Sequence, residues 1–164
     1  YGNLPYNIST EILIKWILNM NKKKIWFNYL VLMFQKEVAD RIIAKPNTNN
    51  YGRLSIISQW KLDIEKLKDI NENCFRPVPK VKSTILIFKP KNNFFKIKNP
   101  KNLEHVTNIF FSLRRKMIKK PLAILFDNYN LVSKKLNLNI NDRPQKLSPL
   151  KFYEICREYE KLID

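Results

Sequence analysis

The feature that most constrains the fold is the apolar segment from Ile25 to Phe34, which is rich in aromatic and aliphatic residues and shows little alternation. Such a run is typical of a central strand that is buried on both faces. We therefore expect Trp26 and Phe27 to lie in the core. Apolar residues recur at helical spacing on both sides of the run, so the sequence predicts an α/β fold in which helices cover a sheet.

The same patterns place the other elements. Ser9 or Asn7 is predicted to cap the first helix, and Ser148 to cap the last one with Pro149 at its first position. The other predicted helices span 35–44, 54–60, 103–113, 121–126 and 131–136, the predicted strands 61–70 and 83–88. The helix at 103–113 is expected to continue through the cationic run from Arg114 to Lys120. A change of composition near residue 92 divides the chain into an α/β part, 1–92, and a helical part, 93–164.

Charge points to a polyanionic partner. Lys and Arg number 31 and Asp and Glu 14, so the net charge is +17. A genome biased toward A and T explains the preference for Lys over Arg but not the shortage of acids, so we favour a nucleic-acid partner.

The single His and the two distant cysteines exclude a zinc site of the usual spacing and fit a reducing compartment. The longest apolar run, 29–34, is too short to span a bilayer.

Asn3-Leu4-Pro5-Tyr6 is the segment with the clearest chemical potential. Pro5 fixes its own backbone and keeps Leu4 extended, so the carbonyls of Asn3 and Leu4 point outward as a rigid rim of acceptors. Acceptors that hold both hydrogens of a nucleobase amine favour its attacking geometry. Tyr6 offers a flat face on which an unstacked base can rest.

The string from Gly2 to Thr10 resembles the catalytic motif of the ribosomal RNA adenine dimethyltransferases. The resemblance implies an S-adenosylmethionine-dependent enzyme in which Asn3, Leu4, Pro5 and Tyr6 are catalytic and Asn3 also contacts the cofactor. The Phe-x-Pro-x-Pro-Lys-Val string at 75–81 is similar to the family segment that supplies a second aromatic, which would make Phe75 the opposite face of a sandwich with Tyr6.

Other strings extend the resemblance nearly to the C-terminus. Tyr-Gly-Arg-Leu-Ser at 51–55, Phe-Ser-Leu-Arg-Arg-Lys at 111–116 and the Arg-Pro-x-x-Leu-Ser stretch at 143–148 are similar to family strings. They imply the second half of a Rossmann-like methyltransferase sheet joined to a small all-α domain. They also imply the following RNA-binding residues, called here the cationic set: Arg53, Arg114, Arg115, Lys116, Lys119 and Lys120.

The resemblance implies dimethylation of adjacent adenines in small-subunit rRNA, by a cytoplasmic protein that acts as a monomer without a metal. The chain begins inside the motif, and only Gly2 and Gly52 are glycines, so no Gly-rich cofactor loop is present. We therefore interpret it as a fragment that is inactive alone. Alternatives are an RNA-binding or ribosome-assembly module without catalysis, a transcription-associated paralogue of organelles, and a dimethylase of large-subunit rRNA.

Overall fold

The computed structural model describes residues 2–20, 25–74, 76 and 81–163, without the side chain of Asn3. Its strands are β1 (Gly2–Asn3), β2 (Leu30–Gln35), β3 (Leu62–Ile70) and β4 (Ser83–Pro90). Its α-helices are α1 (Ser9–Asn19), α2 (Lys36–Ile42), α3 (Arg53–Lys61), α4 (Pro100–Ser112), α5 (Lys119–Leu125), α6 (Tyr129–Lys135) and α7 (Pro149–Ile163). Short 3₁₀ turns lie at Glu72–Cys74 and Pro144–Lys146.

The strands form one sheet in the order β1-β2-β4-β3. β1 and β2 are parallel, and Gly2 pairs with Leu32. β4 is antiparallel to both of its neighbours, with Ser83 opposite Gln35 of β2 and opposite Ile70 of β3. The last strand in sequence is therefore inserted inside the sheet, which brings its first residue to the carboxyl ends of the parallel pair.

The central strand is shorter than predicted. β2 begins at Leu30, and its side chains alternate between fully and partly buried positions. Trp26 lies before the strand and is 64% exposed, so the prediction that it belongs to the core is wrong. It packs edge-on against Trp16, with ring centroids 5.8 Å apart, whereas Phe27 is half-buried against the core. The alternation of buried and partly buried side chains is not visible in the sequence, because most of the partly buried positions of β2 are also apolar.

Helix α1 starts without the predicted cap. Ile8 occupies the N-cap position, and no side chain bonds to the first turn from there. The Ser9 hydroxyl instead donates back to the carbonyl of Tyr6, at 3.1 Å. Neither Ser9 nor Asn7 is thus the cap, because the chain turns within the motif through a bond from the Ile8 amide to the Pro5 carbonyl. At α7, by contrast, Ser148 accepts from the Lys151 amide as its capping role requires.

A buried lysine joins the C-terminal ends of α1 and α3. Lys61, the last residue of α3, is 3% exposed. Its ammonium donates to the carbonyls of Ile17 at 2.9 Å, Leu18 at 3.3 Å and Met20 at 2.6 Å. Ile17 and Leu18 belong to the last turn of α1 and Met20 is its C-cap, at the end where the helix dipole is negative. Burial lowers the pKa of Lys61 to about 8.

Long side chains connect the sheet part to the helical part. The Tyr51 hydroxyl donates to the Leu147 carbonyl and the Tyr153 hydroxyl to the Ile56 carbonyl, each at 2.8 Å. The Trp60 indole donates to the Phe95 carbonyl at the same distance. Buried apolar residues on both sides of position 92 belong to one cluster. The division at residue 92 stays a prediction about folding units.

Candidate active site and nucleic-acid interface

The Asn3-Leu4-Pro5-Tyr6 segment leaves the sheet at the carboxyl end of β1. Pairing of Gly2 with Leu32 and of Asn3 with Met33 fixes where the strand ends. A β-carbon on Gly2 would lie 3.1 Å from a methyl group of Leu32, so the two strands approach closely just before the motif. Ligands of open α/β sheets bind outside the carboxyl ends of the parallel strands. The motif is therefore in the position that a ligand-contacting loop requires.

Tyr6 is held at both of its ends. Its carbonyl accepts from the Ser9 hydroxyl, and its phenolic oxygen lies 2.6 Å from the Ser83 hydroxyl oxygen. Ser83 is completely buried, whereas Tyr6 is half-buried, so part of its ring remains accessible. Leu4 is half-buried against the core and Pro5 is exposed. The structure thus anchors the predicted stacking residue and leaves the proline at the surface.

The predicted partner ring, Phe75, lies outside the described residues, as do Pro77 to Lys80. The ends of its loop are described. The loop leaves β3 after Ile70 and enters β4 at Ser83, and these two residues pair in the sheet. Because Ser83 also contacts Tyr6, the loop that carries Phe75 is attached beside the motif. Asn3 is placed by its backbone only, so the roles predicted for its side chain stay predictions.

Charged groups surround the same edge of the sheet. Asp69 accepts from Lys66 and from the Thr84 hydroxyl, both at 2.6 Å, and these two bonds lower the pKa of its carboxyl group. Lys36, at the start of α2, donates to Asp40 at 3.0 Å, and this bond raises the pKa of the ammonium. A cavity of about 350 Å³ lies where α2 meets the residues that precede β4; it is lined by Gln35, Lys36, Glu37, Asp40, Val81 and Lys82.

The cationic set lies on two neighbouring regions instead of one helix. Helix α4 ends at Ser112, so the prediction that it continues to Lys120 is wrong. The amides of Ile118 and Lys119 bond to the carbonyls of Asp142 and Ile140, which draws the chain away from the axis of α4. Arg115 and Lys116 are exposed in the turn after α4, and Lys119 and Lys120 are exposed at the start of α5.

Arg53 and Arg114 lie where the loop before α3 meets the end of α4. The Arg114 guanidinium donates to the carbonyl of Asn49, and the Tyr51 and Phe111 rings are 6.2 Å apart. Arg53 is exposed as the first residue of α3. The loop before α3 therefore contacts the end of α4 on the segments that carry Arg53 and Arg114. That these arginines bind phosphate groups stays a prediction.

Sequence reasoning missed two residues of this architecture, Ser83 and Lys61. The local pattern identifies Ser83 only as the first residue of a strand, and Lys61 only as the start of another. Neither residue carries a local signal, because the partners of Ser83 and Lys61 lie 77 and 41 to 44 positions away in sequence.

Across residues 2–20, 25–74, 76 and 81–163, no three His, Cys, Asp or Glu side chains group as metal ligands. No helix within those ranges is long and apolar enough to cross a bilayer.

Comparison with known proteins decides the family. Residues 1–161 match the family model described as ribosomal RNA adenine dimethylase. The chain belongs to this family. A ribosomal RNA small subunit methyltransferase A from Pelagibacter ubique is 58% identical over 162 residues, which cover 99% of this chain and 62% of the relative. The protein of that name from Ehrlichia ruminantium is 43% identical over 157 residues, covering 94% of this chain and 58% of the relative. The chain thus spans about three fifths of these relatives.

Solved structures agree with the family assignment. A dimethyladenosine transferase from Plasmodium falciparum superposes with a TM-score of 0.77 at 27% identity, over 97% of this chain and 65% of that chain. The 23S rRNA methyltransferase ErmE superposes with a TM-score of 0.63 at 18% identity, over 97% and 64% of the two chains, and at that identity it shows the fold alone. The predicted family and the predicted Rossmann-like α/β fold are confirmed.

Proposed function

We propose that this chain is the part of an S-adenosylmethionine-dependent enzyme that presents adenine for dimethylation at its exocyclic amine, on adjacent adenines of small-subunit rRNA. The observation that carries the proposal is the anchoring of Tyr6 at the carboxyl end of β1, in a chain that matches the dimethylase family over residues 1–161. The names of the curated relatives favour the small-subunit target over the large-subunit one.

The motif residues act on the target base. The carbonyl of Leu4 and the side chain of Asn3 accept the two amine hydrogens, which keeps the nitrogen lone pair directed at the incoming methyl group. Pro5 fixes this rim, and Tyr6 with Phe75 sandwiches the base after it leaves its stack. Each transfer would form one N–CH₃ bond, break the S–CH₃ bond of the sulfonium to leave a neutral thioether, and release one amine proton to water, so no strong base is needed.

We assign the cofactor to the same end of the sheet. S-adenosylmethionine supplies an electrophilic methyl group when bound, and Asn3, at the carboxyl end of a parallel strand, is the residue of this chain that we assign to it. Neither Gly2 nor Gly52 belongs to a Gly-rich loop. We therefore propose that the 164-residue chain alone transfers methyl groups poorly or not at all, and measurable transfer by this polypeptide would refute that statement.

The remaining surface binds the substrate. The cationic set contacts phosphate groups of the small subunit, and residues 93–164 form the helical RNA-binding domain beside an α/β domain of residues 1–92. We propose that the protein works as a monomer in the cytoplasm, where the small subunit is assembled.

A chimera tests the enzymatic proposal. In the Pelagibacter relative, the matching 62% is replaced by this chain, and methyl transfer to unmethylated small subunits is measured with labelled S-adenosylmethionine. We expect dimethyladenine in the RNA. Asn3→Ala and Tyr6→Ala each lower the rate by about 10²-fold or more, whereas Lys101→Ala, an exposed helix residue, leaves it unchanged. A chimera that binds the subunit but transfers no methyl group would instead support the RNA-binding module.

A further inference from the structure

We propose that Ser83 is a positioning residue for methyl transfer, which it controls by holding the phenol of Tyr6. The proposal rests on the proposed function, because it assumes that Tyr6 carries the target base. Its structural basis is the 2.6 Å contact between the two hydroxyl oxygens. Either hydroxyl is able to donate, so one strong hydrogen bond joins the motif to β4.

Ser83 is a rigid support. Its side chain is completely buried, and its residue pairs with Gln35 on one side and Ile70 on the other. A hydroxyl on a residue that is paired to strands on both sides is placed more precisely than one in a loop. Since the Tyr6 carbonyl is also held, by Ser9, the contact fixes the far end of the ring and thus the direction of its long axis.

The same residue begins the strand that follows the Phe75 loop. Ser83 pairs with Ile70 at the point where that loop leaves β3 and returns. One buried serine therefore holds the Tyr6 phenol at the point where β3 and β4 pair. Loss of this contact should affect methyl transfer, because small displacements of a reacting group cost large factors in rate.

Thr84 provides a matched control. It follows Ser83 in β4, is equally buried, and has a hydroxyl bonded to Asp69 at 2.6 Å. Successive residues of a strand point to opposite faces, so Thr84 supports the sheet without touching Tyr6. Ser83→Ala and Thr84→Val each remove one buried hydroxyl from the same strand, but only the first removes the contact with the motif.

The test is a double-mutant cycle in the chimera described above. Tyr6→Phe keeps the ring for stacking and removes its hydroxyl. We expect Ser83→Ala and Tyr6→Phe each to lower kcat about tenfold, the factor that one ordinary hydrogen bond represents. The subunit Kd stays unchanged because phosphate contacts set it. Because both changes remove the same bond, the double variant is no slower than either single one. Ser83→Thr, which keeps a hydroxyl, restores kcat, and Thr84→Val changes kcat by less than about twofold.

Three outcomes would overturn the proposal: a Ser83→Ala variant with unchanged kcat, single effects that multiply in the double variant, or an equal loss of kcat in Thr84→Val. Unfolding of the 164-residue variants in urea shows whether each one folds and whether the two hydroxyls are coupled in stability. A chimera without methyl transfer, in which this coupling persists, overturns the proposed function and the positioning role together and leaves the bond as a structural one.

Discussion

The ammonium of Lys61 lies 2.6 Å from the carbonyl oxygen of Met20, so the last residue of α3 caps the C-terminal end of α1. We expect Lys61→Met, which keeps the apolar stem and removes the charge, to lower the free energy of unfolding at pH 7 by about 2–3 kcal/mol, since the carbonyls lose charge-assisted partners. Urea unfolding of the 164-residue chain measures this. Lys101→Met, at an exposed position, is the control, and an equal effect of both changes would contradict the capping role.

The two glycines should differ in how well they tolerate alanine. A β-carbon at Gly2 would lie 3.1 Å from a methyl group of Leu32, which is 3% exposed and has little room to move. At Gly52 the nearest atoms, in the Phe111 ring, are 3.8 Å away, and the backbone is extended. Gly52 is the N-cap of α3, where alanine is less favourable than glycine, and this loss offsets the entropic gain of the substitution. We expect Gly52→Ala to change the free energy of unfolding by less than about 0.5 kcal/mol and Gly2→Ala to lower it by about 1 kcal/mol. Thermal unfolding of both variants measures this, and an equal loss of stability in both would contradict the close approach at Gly2.

The two thiols should differ in reactivity. Cys74 is exposed, whereas Cys156 is completely buried in α7, and burial raises the pKa of its thiol to about 12. At pH 8 we expect Ellman's reagent to modify Cys74 rapidly and Cys156 only after unfolding, because the thiolate is the reactive form. Cys74→Ala serves as the control. Rapid release of two equivalents from the folded chain would show that α7 does not protect Cys156.

The same thiol makes stability depend on pH. Its pKa is about 12 in the folded chain and 9.0 as the reference value, so between pH 9 and pH 12 the folded state retains a proton that the unfolded state releases. Stability therefore falls as pH rises through this window. Burial also raises the pKa values of Tyr51 and Tyr153, which act in the same direction. We expect Cys156→Ala to flatten the fall between pH 9 and pH 10, relative to the wild-type chain, in urea titrations.

RNA binding should depend on salt and on the cationic set. Arg115, Lys116, Lys119 and Lys120 are exposed on neighbouring elements. Replacing all four by alanine should weaken binding to small-subunit rRNA and reduce the slope of log K against log[salt] by about 0.7–0.9 for each phosphate that is no longer neutralised. Filter binding at several salt concentrations measures both quantities. The charge-matched control replaces Lys15, Lys68, Lys101 and Lys134, which are also exposed, and an equal loss of affinity would indicate attraction by net charge alone.

Sequence patterns predicted the elements whose periodicity is local. The strand at Ser83 and the helix at Pro149 begin where the turn residues indicate. The apolar stripe expected along the last helix is buried at Phe152, Ile155 and Cys156, but it is wrong for Leu162 and Ile163, which are exposed. The patterns failed where long-range contacts decide. The composition around Trp26 predicts a core position, but the strand starts after it and its side chain is exposed. Leu113 continues the apolar face of the preceding helix, but the helix ends before it, and backbone bonds to residues 140 and 142 direct the following chain away from the helix axis.

The motif predicts where the candidate site lies, but the residue that holds Tyr6 in place could not be predicted. The family string predicts that Tyr6 is a stacking residue, and the structure places Tyr6 just after the carboxyl end of β1. Ser83 contacts the Tyr6 hydroxyl because β4 is inserted between β2 and β3. Local sequence patterns do not predict the order of strands in a sheet. The assignment of roles to Asn3 and Phe75 still depends on the family string and on the experiments above.

The insertion of β4 also affects how the protein is made. Tyr6 and its partner Ser83 are separated by 77 positions. At synthesis rates of about 5–20 residues per second, roughly 4–15 s pass between the translation of one and of the other. During that interval a nascent chain carries the whole motif without the hydroxyl that orients its ring. A translation product that ends before Ser83 therefore holds the motif without the hydroxyl that contacts Tyr6.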